Sequence, residues 1–233
     1  MIGTCSVSVT LEAAMDELTL YIGNKNYSSW SFRPWMALTA AGVAFREVLI
    51  PFDDAGGNPQ FRTISPTGRV PVLHHGELRI WESLAIIEYV AELFPEKPIW
   101  PKNAADRAMA RSIAMEMLSG FRGVRNACPM NLRRPKRRLD LPEDVQAGVD
   151  ADVARISAIW TEFTARSGGP YLFGEFSAAD AMFAPVVNRF EAYELSTDTA
   201  VLTYMAAMKA HPAWKAWETA ALAETWIVPA DEA

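Results

Sequence analysis

Cysteine is scarce in this 233-residue chain: Cys5 and Cys128 are the only two, and they stand far apart in unlike surroundings. Neither belongs to a Cys-x-x-Cys or Cys/His pattern, so a disulfide framework and a zinc site both lack their ligands. Histidine is nearly as rare, and His74 and His75 adjoin a turn without metal-ligand spacing, which reads as a pair of surface residues. No apolar run approaches the roughly 18 residues that a membrane span needs. An excess of basic residues is missing too. Lys plus Arg total 22 against 28 Asp plus Glu, a net charge of -6, which provides no electrostatic footprint for nucleic acid. A reducing, cytoplasmic setting is the expectation. Residues 1–16 carry no Lys or Arg ahead of their weakly apolar stretch, so a signal peptide is not expected there. They read as a flexible N-terminal arm, or as an upstream start with Met15 as the alternative.

What is present is apolar bulk: half of the residues are hydrophobic and 21% are charged. That is the composition of a globular protein large enough for two domains. Strand patterns cover 17–23, 45–50, 70–74 and 77–81, the last two joined by a turn at His75-Gly76. Helical periodicity covers 29–41 and 83–94, with a short helix at 58–64. The order β-α-β-α-β-β-α requires a parallel crossover followed by an antiparallel hairpin, hence a small mixed sheet with helices on its faces. Three prolines in 95–103 mark a linker. Helical patterns follow at 106–125, 145–167, 177–193, 202–209 and 213–224. The expected organisation is an arm at 1–16, an α/β domain at 17–95, a linker at 96–103 and an all-helical domain at 104–233.

Three local signals carry chemistry. Val70-Pro71 opens a strand, where a proline cannot donate to the ladder. A cis bond there would turn the Val70 backbone N–H and C=O outward, toward an extended peptide ligand. The alternative is an edge-strand proline with no ligand. Glu82-Ser83 lies where a strand turns into a helix. Ser83 would cap that helix, whose first N–H groups attract a carboxylate, while Glu82 would hold an ammonium group. Together they suit the end of an α-amino acid, against the alternative of a plain cap. Ser28 and Ser29 stand at the start of the first helix, in the positive potential of unpaired N–H groups, where a thiolate is stabilised. N-capping is again the alternative, and Ser28 would serve both purposes.

With these signals in this order, the chain resembles the glutathione transferases over residues 17–228. Ser28-Ser29-Trp30-Ser31-Phe32-Arg33 is similar to the Ser-Ser-Cys-Ser-x-Arg signature of the zeta class. Gly68-Arg69-Val70-Pro71 looks like the family's cis-proline segment, and Glu82-Ser83 like its glutamyl-binding pair. Gly174-Glu175-Phe176-Ser177-Ala178-Ala179-Asp180 resembles its capping box and hydrophobic staple, with Asp in place of the usual Glu. The resemblance is to bacterial-type, serine-dependent, zeta-like members. It implies a thioredoxin-like N-terminal domain, an all-α C-terminal domain, glutathione as co-substrate without a metal, and a homodimer.

Residue by residue, the resemblance gives Ser28 the glutathione sulfur, with Ser29 as its understudy. Val70 and Pro71 would meet the cysteinyl backbone, and Glu82 and Ser83 the γ-glutamyl end; the resemblance names no residue for the glycine carboxylate, for which Arg69 and Arg62 are the candidates. Tyr27 and Trp30 would line the pocket of the second substrate. The implied activity is detoxifying transfer of small hydrophobic electrophiles to glutathione. The alternatives are a zeta-like isomerase and a non-catalytic binding protein on the same scaffold. Trp30 departs from the zeta signature, which has cysteine there, and this puts isomerase chemistry in doubt. Two features remain outside the resemblance. The basic run Arg133-Arg134-Pro135-Lys136-Arg137-Arg138 reads as a solvated loop, although it, or Arg122 and Arg125, would attract an anionic second substrate. Cys128 reads as a buried structural thiol.

Overall fold

The structure is a computed structural model, and it describes residues 17–54 and 56–232. The N-terminal arm of the sequence reading and Cys5 lie outside the described residues. The first half runs β1 (Thr19–Ile22), α1 (Ser29–Ala40), β2 (Arg46–Leu49), α2 (Phe61–Ile64), β3 (Val72–His75), β4 (Leu78–Trp81) and α3 (Ser83–Leu93). The strands form one sheet in the order β2-β1-β3-β4. β1 pairs in parallel with β2, Thr19 opposite Arg46, and antiparallel with β3, Thr19 opposite His74. Leu20 and Ile22 are fully buried beneath α1 and α3, as a strand with period-2 alternation requires. This is the thioredoxin-like domain that the resemblance implied.

The second half is helical: α4 (Ala104–Ser119), α5 (Arg122–Ala127), α6 (Glu143–Ser167), α7 (Ala178–Ala192), α8 (Thr199–Ala210), α9 (Pro212–Ala223) and a 3-10 turn at Pro229–Asp231. Among the described residues no helix is long and apolar enough to cross a membrane. One continuous apolar core joins the two halves. At its centre the Phe32 ring of α1 stacks on Trp217 of α9 at 4.6 Å and tilts against Trp214 at 5.2 Å. Burying a side chain such as Phe32 contributes roughly 1.5–3 kcal/mol, so α1 is held from both domains. The start of α1 thereby becomes a fixed platform.

Several expectations are corrected. The helix read over 106–125 is two helices, because Phe121 adopts the left-handed region at φ 56 after Gly120. Arg125 of α5 folds back and donates to the carbonyls of Leu118 and Gly120, at 3.1 Å each, which serves carbonyls that the end of α4 leaves open. The hairpin turn is Gly76-Glu77, since His75 still pairs with Leu78 in the ladder. His75 is buried and bonded to the Tyr89 hydroxyl at 2.7 Å, and His74 to the Ile64 carbonyl at 2.7 Å, so neither is a free surface residue. The basic run is not uniformly solvated. Arg133 donates to the carbonyls of Glu224 and Trp226 at 2.5 Å and to the Tyr27 hydroxyl at 2.7 Å. Arg134 covers the Tyr193 ring at 4.2 Å, while Lys136, Arg137 and Arg138 are exposed.

Candidate functional site

The loop between β1 and α1 is wound tightly, with the N–H groups of Tyr27 and Ser28 both donating to the Asn24 carbonyl at 3.2 and 2.7 Å. It delivers Ser28, 5% exposed, to the N-cap position of α1. The expected double duty of Ser28 fails, because its side chain makes no capping bond. Its hydroxyl instead pairs with the Ser31 hydroxyl at 2.8 Å, and Ser31 Oγ accepts the Gly23 N–H at 3.2 Å. The direction of a hydroxyl pair is free to reverse. In this structure Ser31 Oγ accepts from both the Ser28 hydroxyl and the Gly23 N–H, and the Ser28 proton reaches the cavity only when its hydroxyl rotates away from Ser31. Ser31 carried no sequence signal of its own, since its pairing with Ser28 and Gly23 depends on the turn that brings Gly23 beside it.

Ser83 is also not a cap. Glu82 occupies the N-cap position and Ser83 is the first residue of α3. The Ser83 hydroxyl donates to the Trp30 carbonyl at 2.7 Å. That carbonyl needs a donor because Pro34, four residues on within α1, has no N–H to give. The Ser83 hydroxyl is thus engaged within the protein, and the polar groups left at the start of α3 are backbone N–H groups. Glu82 sits at φ 67, a region that costs a non-glycine residue roughly 1–3 kcal/mol and clusters at functional positions.

Two adjoining cavities surround these residues. The larger, about 500 Å³, is bordered by Tyr27, Ser28, Ser29, Trp30, Arg69 and Val70. The smaller, about 220 Å³, is bordered by Trp30, Arg69, Val70, Pro71, Glu82 and Ser83. The Val70-Pro71 bond between them is cis. The structure thus brings Tyr27, Ser28, Ser29, Trp30, Arg69, Val70, Pro71, Glu82 and Ser83 to two adjoining cavities, and leaves Arg62, Arg122 and the 133–138 run outside their walls. Tyr27 is a wall rather than a free hydroxyl, since its oxygen is held by Arg133 and by the Glu232 carboxylate. Trp30 lies against two guanidiniums, Arg33 at 4.2 Å and Arg125 at 4.6 Å from its ring centroid.

Two family models match this chain: the glutathione S-transferase N-terminal domain over residues 27–93, and the glutathione S-transferase C-terminal domain over residues 146–220. The chain belongs to the glutathione transferase family. Glutathione S-transferase 1 of Dianthus caryophyllus is 35% identical over 45% of this chain and 48% of its own length. Maleylacetoacetate isomerase of Rattus norvegicus is 28% identical over 72% of this chain and 76% of its own. The chain thus spans about half the length of the first of these relatives and three quarters of the second. A solved glutathione transferase homologue from Burkholderia with bound glutathione superposes with a TM-score of 0.66 at 21% identity, covering 89% of this chain and all of that one. Poplar glutathione transferase F1 superposes with a TM-score of 0.68 at 20% identity, over 89% of this chain and 99% of that one.

The glutathione transferase cleft has a far wall that was only partly legible in the sequence. Arg125, Pro129, Met130, Arg189 and Asp231 also border the larger cavity. Arg189 had one readable signal: it is the single charged residue in the run Met182–Phe190 of α7, which is apolar but for Asn188 beside it. The capping box of that helix is present, with Asp180 Oδ2 accepting the Ser177 N–H at 2.9 Å. Burial raises the Asp180 carboxyl to about 6, against hydrogen bonds from Leu172, Ser177 and Tyr204 that lower it. Cys128 is 1% exposed, and burial pushes its thiol up to about 11 despite nearby Arg189 and Arg134.

Proposed function

We propose that this chain is an enzyme that binds glutathione in the cleft, holds its sulfur as a thiolate with Ser28, and transfers it to small hydrophobic electrophiles. The observation that carries the reading is the place of Ser28, at the start of α1 on the wall of the larger cavity with its hydroxyl not used as a cap. An ordinary thiol has a pKa of about 8.5, and lowering it by two units requires about 2.7 kcal/mol. A hydrogen bond to a charged group supplies roughly 1.5–3 kcal/mol, and a helix N-terminus roughly 0.3–1. One serine at the start of α1 is therefore sufficient in magnitude.

In this reading the γ-glutamyl ammonium meets Glu82, and its carboxylate the first N–H groups of α3 beside Ser83. The cysteinyl backbone pairs with Val70 beside Pro71. Arg69, which borders both cavities, takes the glycine carboxylate. Ser29 stands next to Ser28 as its understudy, and Tyr27 and Trp30 line the second-substrate pocket. Chemistry is a substitution: the sulfur–carbon bond forms, the leaving group departs with its electron pair, and the thiol proton has already passed to solvent. Rate comes from the preformed thiolate and from holding two reactants together. The family reading carries a homodimer and a cytoplasmic location with it.

Similarity to an enzyme named maleylacetoacetate isomerase favours a second reading, glutathione-dependent isomerisation. Trp30 in the cysteine place of that signature argues for transfer first, and turnover of a maleyl-type substrate would reverse that order. The deciding experiment is calorimetric titration with glutathione, followed by the ultraviolet thiolate signal of the complex across pH. Binding with a thiol pKa well below 8.5 in the wild type, and near 8.5 in Ser28→Ala, is the expected result. No binding at all would turn the reading toward a non-catalytic scaffold.

A further inference from the structure

Arginine is concentrated where an apolar pocket would not need it. Arg189 of α7 is 5% exposed and Arg33 of α1 is fully buried, while Arg125 of α5 is half-buried. Arg125 and Arg189 border the cavity that Ser28 borders. All three are anchored on neutral carbonyls. Arg189 Nε donates to Cys128 at 2.7 Å, Arg33 Nε to Met182 at 3.0 Å, and Arg125 Nη1 to Leu118 and Gly120 at 3.1 Å. Arg33 Nη2 and Arg189 Nη1 are buried and meet no hydrogen-bond partner among the described residues.

The local charge does not balance. Arg122 stands beside Arg125 as a fourth cation, and the carboxylates that face the group are Asp152, near Arg125, and Asp231, near Arg189. Asp152 is already engaged by the Val124 N–H at 3.0 Å. Burial first, and then the guanidinium of Arg125, push Arg189 down to about 10, and burial followed by Arg189 and Arg125 holds Arg33 well below its usual range. The Trp30 ring compensates part of this through its contacts with Arg33 and Arg125. Four cations against two carboxylates leave the group short of negative charge, and an anionic ligand would supply what is missing.

We infer that the second substrate of this site is an electrophile that carries a carboxylate, and that Arg189 and Arg125 receive that carboxylate in the cavity bordered by Ser28. The inference rests on the glutathione reading and narrows it from hydrophobic electrophiles in general to anionic ones. Glutathione's own carboxylates do not account for Arg189. Its γ-glutamyl end goes to the smaller cavity, which Arg189 does not border, and its glycine end to Arg69. Arg125 borders both cavities and so serves either ligand, which makes Arg189 the discriminating residue. Asp231 shares the larger cavity and, as a resident negative charge, weakens the binding of any incoming anion.

The test compares 4-chloro-3,5-dinitrobenzoate with its neutral methyl ester, each reacting with glutathione. In both, the sulfur bonds to the ring carbon and chloride leaves with its electron pair. Each kcat/KM is divided by the rate constant of the uncatalysed reaction, which removes the difference in intrinsic reactivity. The wild type is expected to favour the acid by roughly ten- to a hundredfold, the size of one or two charge-assisted hydrogen bonds. Arg189→Gln should bring that ratio toward one, Arg189→Lys should retain part of it, and Asp231→Asn should raise it. A wild-type ratio of one, or a ratio unmoved by Arg189→Gln, overturns the inference. Should Arg189→Gln fail to fold, the wild type still decides: benzoate inhibiting at least tenfold better than benzamide supports the subsite, and equal inhibition overturns it. Calorimetry with glutathione alone keeps the two failures apart. Lost glutathione binding would overturn the function itself, whereas intact binding with a ratio of one overturns only the carboxylate subsite.

Discussion

A serine hydroxyl has a single proton to give, and at Ser28 the direction of that gift depends on Ser31. If Ser31 supplies a proton to Ser28 Oγ, then Ser31→Ala removes the relay without touching the cavity wall. The thiol pKa of bound glutathione should then rise by about one unit, against about two for Ser28→Ala. The ultraviolet thiolate titration reads both, and equal shifts in the two variants would show that the relay has no separate contribution. Cys128 makes the opposite case. Its thiol, pushed up to about 11 by burial, is almost wholly protonated at pH 8 and is shielded from reagent. In a Cys5→Ser background, iodoacetamide should leave it unmodified in the native protein and label it on unfolding, as read by mass spectrometry. At this scale the sequence was informative about the Val70-Pro71 bond, which is cis, and about the placing of Ser28 and Glu82 at helix starts. It was silent where use comes from contact across the chain. Nothing beside Ser83 announces the Trp30 carbonyl, 53 positions away.

That bond couples α1 to α3, and its logic is testable. Pro34 leaves the Trp30 carbonyl without a helical donor, and Ser83 fills the vacancy. Ser83→Ala should destabilise the protein by about 1–3 kcal/mol, the cost of a buried acceptor left unpaired. In a Pro34→Ala background the helix supplies its own N–H, so the same change should cost about 1 kcal/mol less. Urea unfolding of the four proteins measures this coupling, and additive effects would dismiss it. In α7, the Asp180 carboxyl sits at about 6 when folded, above its ordinary 3.8. The folded chain therefore keeps a proton that the unfolded chain releases between those values. The stability from this group is fully present below about pH 4 and is lost as pH rises through 6, by up to about 3 kcal/mol. The urea midpoint should accordingly fall from pH 4 to pH 6.5 by more in the wild type than in Asp180→Ala. Element types were legible where a long periodic pattern such as α6 buries one stripe, whereas α7 is buried nearly all round. The division of α4 from α5 was not legible, since it depends on a left-handed Phe121 that apolar spacing does not encode.

Across the whole molecule, the loop that carries Ser28 is fastened by distant chain. The Glu224 carboxylate accepts the N–H groups of Lys25 and Asn26 at 2.6 and 3.0 Å. Trp217 Nε1 donates to the Lys25 carbonyl at 3.0 Å, and Arg133 ties Tyr27 to the Glu224 and Trp226 carbonyls. Ending the chain after Ala223 should leave helix content intact by circular dichroism. It should weaken glutathione binding about tenfold, because two or more bonds to the loop are lost. The bipartite plan of sheet first and helices after was visible in the sequence, but this return of the far end was not, because no local pattern joins positions 25 and 224. During synthesis, 199 residues separate Lys25 from the carboxylate that anchors it. At the usual 5–20 residues per second, the ribosome takes about 10–40 s to bridge that interval. A nascent chain can pair its sheet early and still have its Ser28 loop unfastened until translation has passed Glu224.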